Sequence, residues 1–409
     1  MCIHGSAIEY DLCIVGAGMF GSAAARHASV NPTLKVCLIG PEEPTEEEFK
    51  NREIFGAHYD EGRIVHANET CEAYQTLNRE SISRFREIEK LSDIKFYNPC
   101  GSMLIFDQHH YETWHLLDKN TPGCTQCVDL SSKDIFYRRF PFFKVKENAS
   151  IFFDDMGSGY ISPRNMVAAQ KKVAKMQGCH IIDDVVEEVR EPVNGLHEVI
   201  TEHNICIRAK RILLCPGAFI NLKKFYPNKP LKTSLRKETA TFLSIPKEEA
   251  VRLSSMPTVI TRNEGPKNQP DIIGSYILPP IKYPDDKHYL KIGHIGEIVN
   301  SELTTLDEVK KWYQSTGSED TLSFFSRMLK DLLPGLKVEK IFNVPCVTAD
   351  SPTGFPYIDR LTPTVTVAAI GNSRGAAMCE EVGRLAAHLS VTGKWDSKIS
   401  KSLFEVIYE

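Results

Sequence analysis

The stretch that decides the fold is YDLCIVGAGMFGSAAARHA, residues 10–28, in which an apolar run leads into closely spaced glycines and then into small helix-forming residues. Gly16 permits the tight turn between strand and helix, Gly18 lets the backbone approach a pyrophosphate, and Gly21 lets the helix pack closely on the strand. A second apolar run at residues 34–39 completes a βαβ unit. We therefore predict a dinucleotide site at the N-terminus of the first helix, where free N–H groups face the phosphates.

The composition is that of an ordinary soluble protein. The 409 residues are 42% hydrophobic and 25% charged, which is enough for two domains with a large core. A net charge of −4 leaves no basic excess, so neither a nucleic acid nor a membrane is predicted as a partner. No apolar run reaches the roughly 18 residues of a membrane helix, and the first residues lack the pattern of a signal peptide. We predict a cytoplasmic protein; a peroxisomal location stays open, although the last residues do not form a Ser-Lys-Leu-type signal.

The motif Cys124-Thr125-Gln126-Cys127 has two interpretations. A CxxC pair serves in redox chemistry or as half of a metal site. No second CxxC pair or paired-histidine cluster nearby completes a set of ligands. We therefore predict a surface loop at this motif and no metal centre in the protein.

The later segments repeat the strand-and-helix pattern of the N-terminus and interrupt it with strands. Residues 211–219 form an apolar strand that ends in a Gly-Ala turn, and residues 365–388 give a strand, a glycine-rich turn and a helix, whereas strand-like alternation dominates residues 239–338. We predict a fold of the α/β plus α+β class, in which a discontinuous Rossmann-like nucleotide domain carries an inserted mixed β-sheet domain for the substrate. The predicted nucleotide domain comprises residues 1–96, 159–230 and 338–409, and the predicted substrate domain comprises residues 97–158 and 231–337.

Further motifs follow the first glycines in a fixed order. They are HYDEGRIVH at residues 58–66, Ser158-Gly159, Gly217-Ala218-Phe219, YLKIG at residues 289–293, Val344-Pro345-Cys346, and Asp359 followed by the segment Gly371 to Gly383. With these motifs in this order, nearly the whole chain resembles the monomeric sarcosine oxidase and N-methyltryptophan oxidase family of D-amino-acid-oxidase-like flavoproteins. The resemblance implies FAD as the cofactor, so that the predicted nucleotide domain is an FAD-binding domain, and it implies oxidation of an amine.

The resemblance also implies which residues surround the cofactor. From the glycine motif, the resemblance and the departure at Gly40 discussed below, the predicted FAD contacts are Gly16, Gly18, Met19, Phe20, Gly21, Glu42, His58, Arg63, Val186, Gly217, Cys346, Gly371, Asn372, Arg374, Gly375 and Ala376. In the family, the cysteine at the place of Cys346 forms a thioether to the dimethylbenzene ring of the flavin, so the resemblance implies covalent FAD. The alternative for Cys346 is a buried structural cysteine, which is a common role of this residue.

The predicted catalytic residues are Lys291 and Arg63, which the resemblance implies, together with His66 and Tyr59. Lys291 interrupts an apolar alternating strand, where burial of an ammonium group is costly, so it either extends to the surface or is kept for a function. In the family, a cation at this place stabilises the charge that develops on O2. The family arginine at Arg63 lies beside the flavin; the alternative is a surface salt bridge to Asp60 or Glu61. Candidates for lining the substrate pocket are His58, Tyr59, His66, Tyr276 and His294.

Two departures from the family concern the substrate carboxylate. Relatives bind it with an arginine three residues after the position of Arg63 and with a lysine in the C-terminal glycine-rich segment, whereas this chain has His66 at the first place and Ala377 or Met378 at the second. Loss of a cation that pairs with a buried carboxylate costs about 2–5 kcal/mol. Our hypothesis is that the substrate has no carboxylate at that place or is anchored differently, through Arg374 or His66.

A third departure concerns the ribose of the cofactor. Where the family often has an acidic residue, about 20 residues after the glycine motif, this chain has Gly40. Glu42 or Glu43 is the predicted replacement.

From these observations we predict a monomeric FAD-dependent oxidase whose partners are a small secondary or primary amine and O2. Hydride passes from the carbon next to nitrogen to the flavin, the imine hydrolyses, and O2 is reduced to H2O2. Three alternatives stay open: a flavin-dependent amine dehydrogenase with another electron acceptor, a nicotinamide-dependent dehydrogenase, and a non-catalytic FAD-binding protein of the same fold.

Overall fold

The computed structural model describes residues 9–69, 71–106, 127–262, 272–296 and 301–409. Apart from Cys127, the predicted loop at Cys124–Cys127 lies outside these ranges. The helices within them are α1 (Met19–Ala28), α2 (Glu46–Phe49), α3 (Glu72–Ser92), α4 (Lys133–Arg139), α5 (Pro163–Met176), α6 (Lys247–Arg252), α7 (Leu306–Tyr313), α8 (Glu319–Leu332) and α9 (Gly375–Thr392), with short 3-10 helices at Gly217–Phe219 and Lys401–Phe404.

The strands within the same ranges are β1 (Glu9–Tyr10), β2 (Leu12–Val15), β3 (Val36–Ile39), β4 (Arg63–Val65), β5 (Tyr97–Asn98), β6 (Ser102–Phe106), β7 (Val128–Asp129), β8 (Ser150–Asp154), β9 (Gly159–Ile161), β10 (His180–Ile182), β11 (Val186–Val189), β12 (His197–Thr201), β13 (Cys206–Ala209), β14 (Ile212–Leu214), β15 (Lys224–Phe225), β16 (Ser234–Ile245), β17 (Thr258–Arg262), β18 (Ile272–Lys282), β19 (His288–Gly296), β20 (Glu302–Leu303), β21 (Lys340–Asp350), β22 (Tyr357–Arg360) and β23 (Val365–Ala369).

The predicted βαβ unit lies at the centre of a sheet that six strands of the described chain form, in the order β10-β3-β2-β14-β23-β22. All neighbours in it are parallel except β22, which is antiparallel to β23. Because side chains alternate between the faces of a strand, Cys13 and Val15 pack toward a second sheet, β1-β13-β12-β11-β15, while Leu12 and Ile14 pack against helices that include α1 and α9. Helices on one face and this second, mixed sheet on the other bury the six-stranded sheet on both sides.

Helices α1 and α9 approach each other closely. A Cβ atom added to Gly383 of α9 would lie 2.5 Å from the Cβ of Ala23 in α1. Small residues on both helices permit this distance, and it brings the N-termini of the two helices to the same side of the sheet.

A larger mixed sheet receives strands from several segments. Within the described residues its order is β20-β16-β19-β18-β17-β6-β8-β7, and β21 pairs along most of β16. Alternation again separates its faces: Leu290 and Ile292 of β19 pack into a core that also contains Phe325 and Leu329 of α8, whereas Lys291 points to the opposite face. Strands β4, β9 and β5 form a separate three-stranded sheet, with β9 in the middle.

Segments from both predicted domains build the larger sheet. Strands β6, β8 and β16–β20 come from residues 97–158 and 231–337, while β21 comes from residues 338–409 and pairs with β16 from Ser234 to Ser244. The predicted domain boundaries stay a prediction. No helix in the described part of the chain has the length and apolar composition needed to span a membrane.

Candidate cofactor and substrate site

A cavity of about 1120 Å³ lies between the six-stranded sheet and the larger mixed sheet. The predicted site residues that line it are Gly16, Gly18, Met19, Phe20, His58, Tyr59, Arg63, His66, Val186, Gly217, Lys291, Cys346, Gly371, Asn372, Arg374, Gly375 and Ala376. Two predicted cofactor residues, Gly21 and Glu42, are not part of the lining. The structure therefore brings together residues from both ends of the sequence around one space.

The glycines of the first motif shape one wall of this cavity. Gly16 has φ of +104°, and a Cβ atom there would lie 2.2 Å from the carbonyl oxygen of Cys215. A Cβ atom on Gly21 would lie 1.8 Å from the carbonyl oxygen of Gly16, so this residue contributes to the helix–strand contact behind the lining. Only glycine fits at either place, as the dinucleotide motif requires.

Two helix N-termini open onto the cavity. Helix α1 begins after Gly18 and helix α9 begins after Arg374, and neither cap residue provides a side-chain hydrogen bond to its helix. The first N–H groups of a helix lack intrahelical partners and carry partial positive charge. Residues of both first turns line the cavity, which therefore has the donors that a pyrophosphate needs.

The turn before α9 has an uncommon backbone. Ile370, Asn372 and Ser373 have φ angles of +70°, +47° and +58°, and this region is costly for a β-branched residue such as isoleucine. Hydrogen bonds hold the turn: the Asn372 amide donates to the carbonyl of Ala349 (3.0 Å), and its side-chain Oδ1 accepts from the amide of Ser351 (2.9 Å). A strained and tightly fixed backbone at the cavity wall is typical of a ligand-binding segment.

The expected acidic residue for the ribose has other partners. The carboxylate of Glu42 forms an ion pair with Lys171, and that of Glu43 binds Arg164 at 2.6 and 2.7 Å. At Gly40, which does line the cavity, a Cβ atom would lie 2.4 Å from the backbone nitrogen of Ala17. The close approach of two backbones explains why a larger side chain is absent there, and the role of Glu42 stays a prediction.

Asp60 is the centre of the charged part of the cavity. Its carboxylate accepts from the ammonium of Lys291 (2.7 Å), from the hydroxyl of Tyr283 (2.6 Å) and from the guanidinium of Arg63. Lys291 also donates to the carbonyl of Gly62. The predicted contact between Arg63 and Asp60 exists, but it lies in this cluster and not on the open surface, because Asp60 is only 8% exposed.

The position of Lys291 lowers its basicity. Its side chain is 3% exposed, and burial lowers the pKa of the ammonium, with the nearby Arg63 charge acting in the same direction. The Asp60 carboxylate opposes this shift by binding the ammonium directly. Lys291 is therefore a buried cavity cation whose charge depends on one carboxylate.

Cys346 lies in the middle of β21 and lines the cavity. The indole of Trp312 donates to its backbone carbonyl at 2.8 Å, which fixes this part of the strand. Burial, followed by the negative charge of Glu238, raises the pKa of the Cys346 thiol to about 11. The thiol is therefore protonated near neutral pH in these surroundings, and Arg63 and Lys291 are the charges that favour its thiolate.

The two candidate anchors for a substrate carboxylate share one protein carboxylate. The guanidinium of Arg374 binds Glu69 at 2.7 Å, and Nε2 of His66 lies 3.4 Å from the same side chain. Ala377 lines the cavity, whereas Met378 packs into the core between the six-stranded sheet and its helices. Both side chains therefore already have a protein carboxylate as a neighbour.

His58 and Tyr59 lie side by side at the cavity wall. Nδ1 of His58 is buried without a hydrogen-bond partner, and burial lowers the pKa of this histidine to about 3. An unpaired buried nitrogen beside Gly18 fits a ligand that supplies the missing hydrogen bond. The hydroxyl of Tyr59 donates to the backbone carbonyl of Glu42 (3.2 Å), and burial raises the pKa of Tyr59 to about 12.

The sequence analysis misses six charged residues that line the cavity. It treats Asp60 only as a surface partner of Arg63, and it does not single out the other five, which are Glu69, Lys223, Glu238, Arg262 and Asp285. For Arg262 a signal existed, because it alternates with Ile260 in a strand whose other residues pack into the core. Glu238 gave no such signal, since polar residues are common at the start of its long strand.

Comparison with known proteins identifies one family. The family model described as DAO, FAD dependent oxidoreductase, matches residues 11–389. A Caenorhabditis elegans protein provisionally named sarcosine oxidase is 20% identical over 399 residues, which is 96% of each chain. A monomeric sarcosine oxidase of Streptomyces avermitilis is 26% identical over 213 residues, which is 51% of this chain and 52% of that protein. The resemblance predicted from the sequence motifs is confirmed.

Among solved structures, the fold is similar to that of NikD over nearly the whole chain. NikD, described as an unusual amino acid oxidase essential for nikkomycin biosynthesis, has a TM-score of 0.75 at 18% identity and covers 98% of both chains. At this identity the likeness shows the fold alone, and it confirms the predicted fold class.

Replacement of Asp60 by asparagine is expected to lower the free energy of unfolding by about 3–5 kcal/mol, because it leaves Lys291 and Arg63 without their shared counter-charge. The double variant Asp60→Asn, Lys291→Met is expected to recover part of this loss. Urea unfolding, followed by circular dichroism, measures the free energy of unfolding of both variants; where there is more than one transition, the first is compared. The control is Asp307→Asn, which breaks an exposed pair with Lys311 and is expected to cost less than about 1 kcal/mol. An Asp60 variant as stable as this control contradicts the prediction.

Acidification is expected to destabilise the protein through His58. The native pKa is about 3 against 6.5 for the free side chain, so between these values the unfolded chain binds a proton that the native state does not. Stability is then lost as the pH falls below 6.5, by about 1.4 kcal/mol for each pH unit. Between pH 7 and pH 5, the unfolding free energy in urea should fall by about 2 kcal/mol more in the wild type than in His58→Leu. Parallel pH profiles of the two proteins would show that His58 is not buried in its neutral form.

Proposed function

The chain belongs to the DAO family of FAD-dependent oxidoreductases, and on that premise we propose that it is an oxidase of a small secondary or primary amine. When bound, FAD would supply the redox chemistry of such an oxidase, namely acceptance of a hydride from the carbon next to nitrogen and reduction of O2 to H2O2, and the imine product would hydrolyse in water. The protein supplies binding, orientation and charge around these steps.

The observation that carries the oxidase proposal is the buried ammonium of Lys291 at the cavity wall. Reduction of O2 develops negative charge, and a positioned cation in a site of low polarity stabilises such charge far more than water does. The Asp60 carboxylate and the carbonyl of Gly62 hold the ammonium in place before the reaction. Arg63, bound to the same carboxylate, adds a second positive charge beside it.

The residues of the cavity fit a bound FAD. The N-termini of α1 and α9 and the turn at Gly371 and Asn372 would receive the phosphates, and Val186 and Gly217 extend the lining along the same wall. Sγ of Cys346 would hold the flavin covalently, and Arg63 and Lys291 would counteract the rise in its pKa that burial and Glu238 cause. His58 is neutral near pH 7, so it would serve as a hydrogen-bonding group and not as a cation.

The amine is proposed to bind against the larger mixed sheet. Tyr276 is half-buried at this wall, where loss of solvent raises its pKa, and its ring lies over Gly293, which leaves no room for a Cβ atom. Nε2 of His294 lies 2.7 Å from the Glu238 carboxylate, so a polar pair faces the same space. An amine that binds as its free base needs no strict acid–base residue, and these groups would orient it. The monomeric state and the cytoplasmic location stay predictions.

Release of H2O2 by the purified yellow protein tests the proposed function. The amines compared are sarcosine, N-methyltryptophan, carboxylate-free secondary amines, cyclic imino acids and polyamines. Turnover of any of these with stoichiometric H2O2 supports an amine oxidase. Bleaching of the flavin without H2O2 would instead indicate a dehydrogenase with another acceptor, and no bleaching by any amine would indicate a non-catalytic flavoprotein.

Replacement of Lys291 by methionine is expected to slow reoxidation of the reduced protein by O2 about 100-fold or more, because the developing charge loses its stabilising cation. Stopped-flow absorbance measures this step. Anaerobic reduction by the amine should change much less. Lys282→Met, which removes an exposed lysine from the neighbouring strand β18, is the control and should react with O2 as the wild type does. Equal reoxidation rates in Lys291→Met and the wild type would favour the dehydrogenase.

Replacement of Cys346 by serine is expected to release the flavin on denaturation, since serine cannot form the thioether. After acid precipitation, the wild type should keep its yellow colour in the pellet, and Cys346→Ser should lose it to the supernatant. The control is Cys100→Ser, a half-buried cysteine elsewhere in the chain. Flavin in the wild-type supernatant would mean that attachment is not covalent.

A further inference from the structure

Arg262 is the last residue of β17 and lines the cavity. Ile260, two residues earlier, also lines it, while Val259 packs into the core on the other face of the sheet. The pleat therefore directs the Arg262 side chain toward the cavity. Its atom Nη1 is buried and has no hydrogen-bond partner.

An unpaired buried guanidinium nitrogen is costly. The loss of water around a charged donor is compensated only when another polar group binds it. Retention of such a group at a cavity wall indicates that a ligand supplies the partner.

The charges around Arg262 leave room for an anion. Among the described residues, those that act on it are the guanidinium of Arg374 and the carboxylate of Glu69. Burial and Arg374 lower the pKa of Arg262, and Glu69 opposes them. Glu69 already binds Arg374 at 2.7 Å, so two guanidinium groups share one protein carboxylate at this end of the cavity.

We propose that Arg262 binds the carboxylate of the substrate, which is therefore an amino-acid-type amine; this inference rests on the proposed amine oxidation. A carboxylate matches the planar fork of a guanidinium in shape and charge. Arg262 thus takes the role that neither His66 nor Ala377 fills, and it does so from the larger mixed sheet. Arg262 is a specificity-determining residue, because an amine without a carboxylate lacks the group that it binds.

The experiment measures carboxylate binding to the FAD-containing protein by isothermal titration calorimetry. The probes are acetate and indole-3-acetate, with acetamide and indole-3-acetamide as neutral counterparts of the same shape. In the wild type, the carboxylates are expected to bind more tightly than the amides. In Arg262→Gln, carboxylate affinity is expected to fall at least about 30-fold while amide affinity stays the same.

Two further variants separate charge from structure. Arg262→Lys keeps the charge without the fork and is expected to retain part of the carboxylate preference. Arg190→Gln removes an exposed arginine that pairs with Glu188 and Glu198, and it should bind all four probes as the wild type does. The KM for sarcosine should rise in Arg262→Gln, while the KM for dimethylamine, which lacks the carboxylate, should not.

The outcomes that overturn this inference differ from those that overturn the proposed function. Equal carboxylate affinity in the wild type and Arg262→Gln, or no preference for carboxylates over amides in the wild type, removes the proposed role. Loss of FAD from Arg262→Gln, measured by the flavin absorbance per protein, assigns the guanidinium to the cofactor instead. If no amine reduces the flavin but carboxylate binding still depends on Arg262, the proposed function fails and the anion site stands. If amines are oxidised and carboxylate binding does not depend on Arg262, only this inference fails.

Discussion

The buried carboxylate of Asp60 is the interaction on which the functional part of the structure depends. It lies just before β4 and binds Lys291, which comes from β19 of the larger mixed sheet. The pair therefore joins the polar wall near the first glycine motif to the opposite wall of the cavity. A buried cation without this carboxylate would be expelled or deprotonated, so the geometry and the charge state of Lys291 have the same source.

Around this pair, the cavity is divided by the kind of charge that each wall presents. The wall made by α1 and α9 offers backbone N–H groups at helix N-termini, which suit phosphates and carry no titratable charge. The middle holds ammonium and guanidinium groups balanced by Asp60. The end at β17 holds the guanidinium of Arg262, whose Nη1 lacks a partner. This arrangement suits a long ligand whose anionic end lies at the helix N-termini, together with a smaller anionic ligand at the β17 end.

The larger mixed sheet serves two purposes through simple alternation. One face packs on α8 through Leu290, Ile292, Phe325 and Leu329, and these apolar contacts stabilise the sheet. The other face does not pack on α8, and it carries polar residues of the site, including Lys291. A shift of one residue in the register would exchange the two faces, so the stability of the core and the position of the cation are specified together.

The sequence by itself determined the nucleotide-binding unit, because that unit is local: the spacing of Gly16, Gly18 and Gly21 between an apolar strand and a small-residue helix has few structural solutions. It also singled out Lys291, since a charge within an alternating apolar strand is visible in a window of a few residues. Only the tertiary structure decided which partners these residues have. Lys291 and Asp60 are 231 positions apart, and the pairing of β21 with β16 joins segments that the sequence pattern had separated. Such contacts depend on how sheets are joined across the whole chain, and periodicity reports only which face of its own strand a side chain occupies.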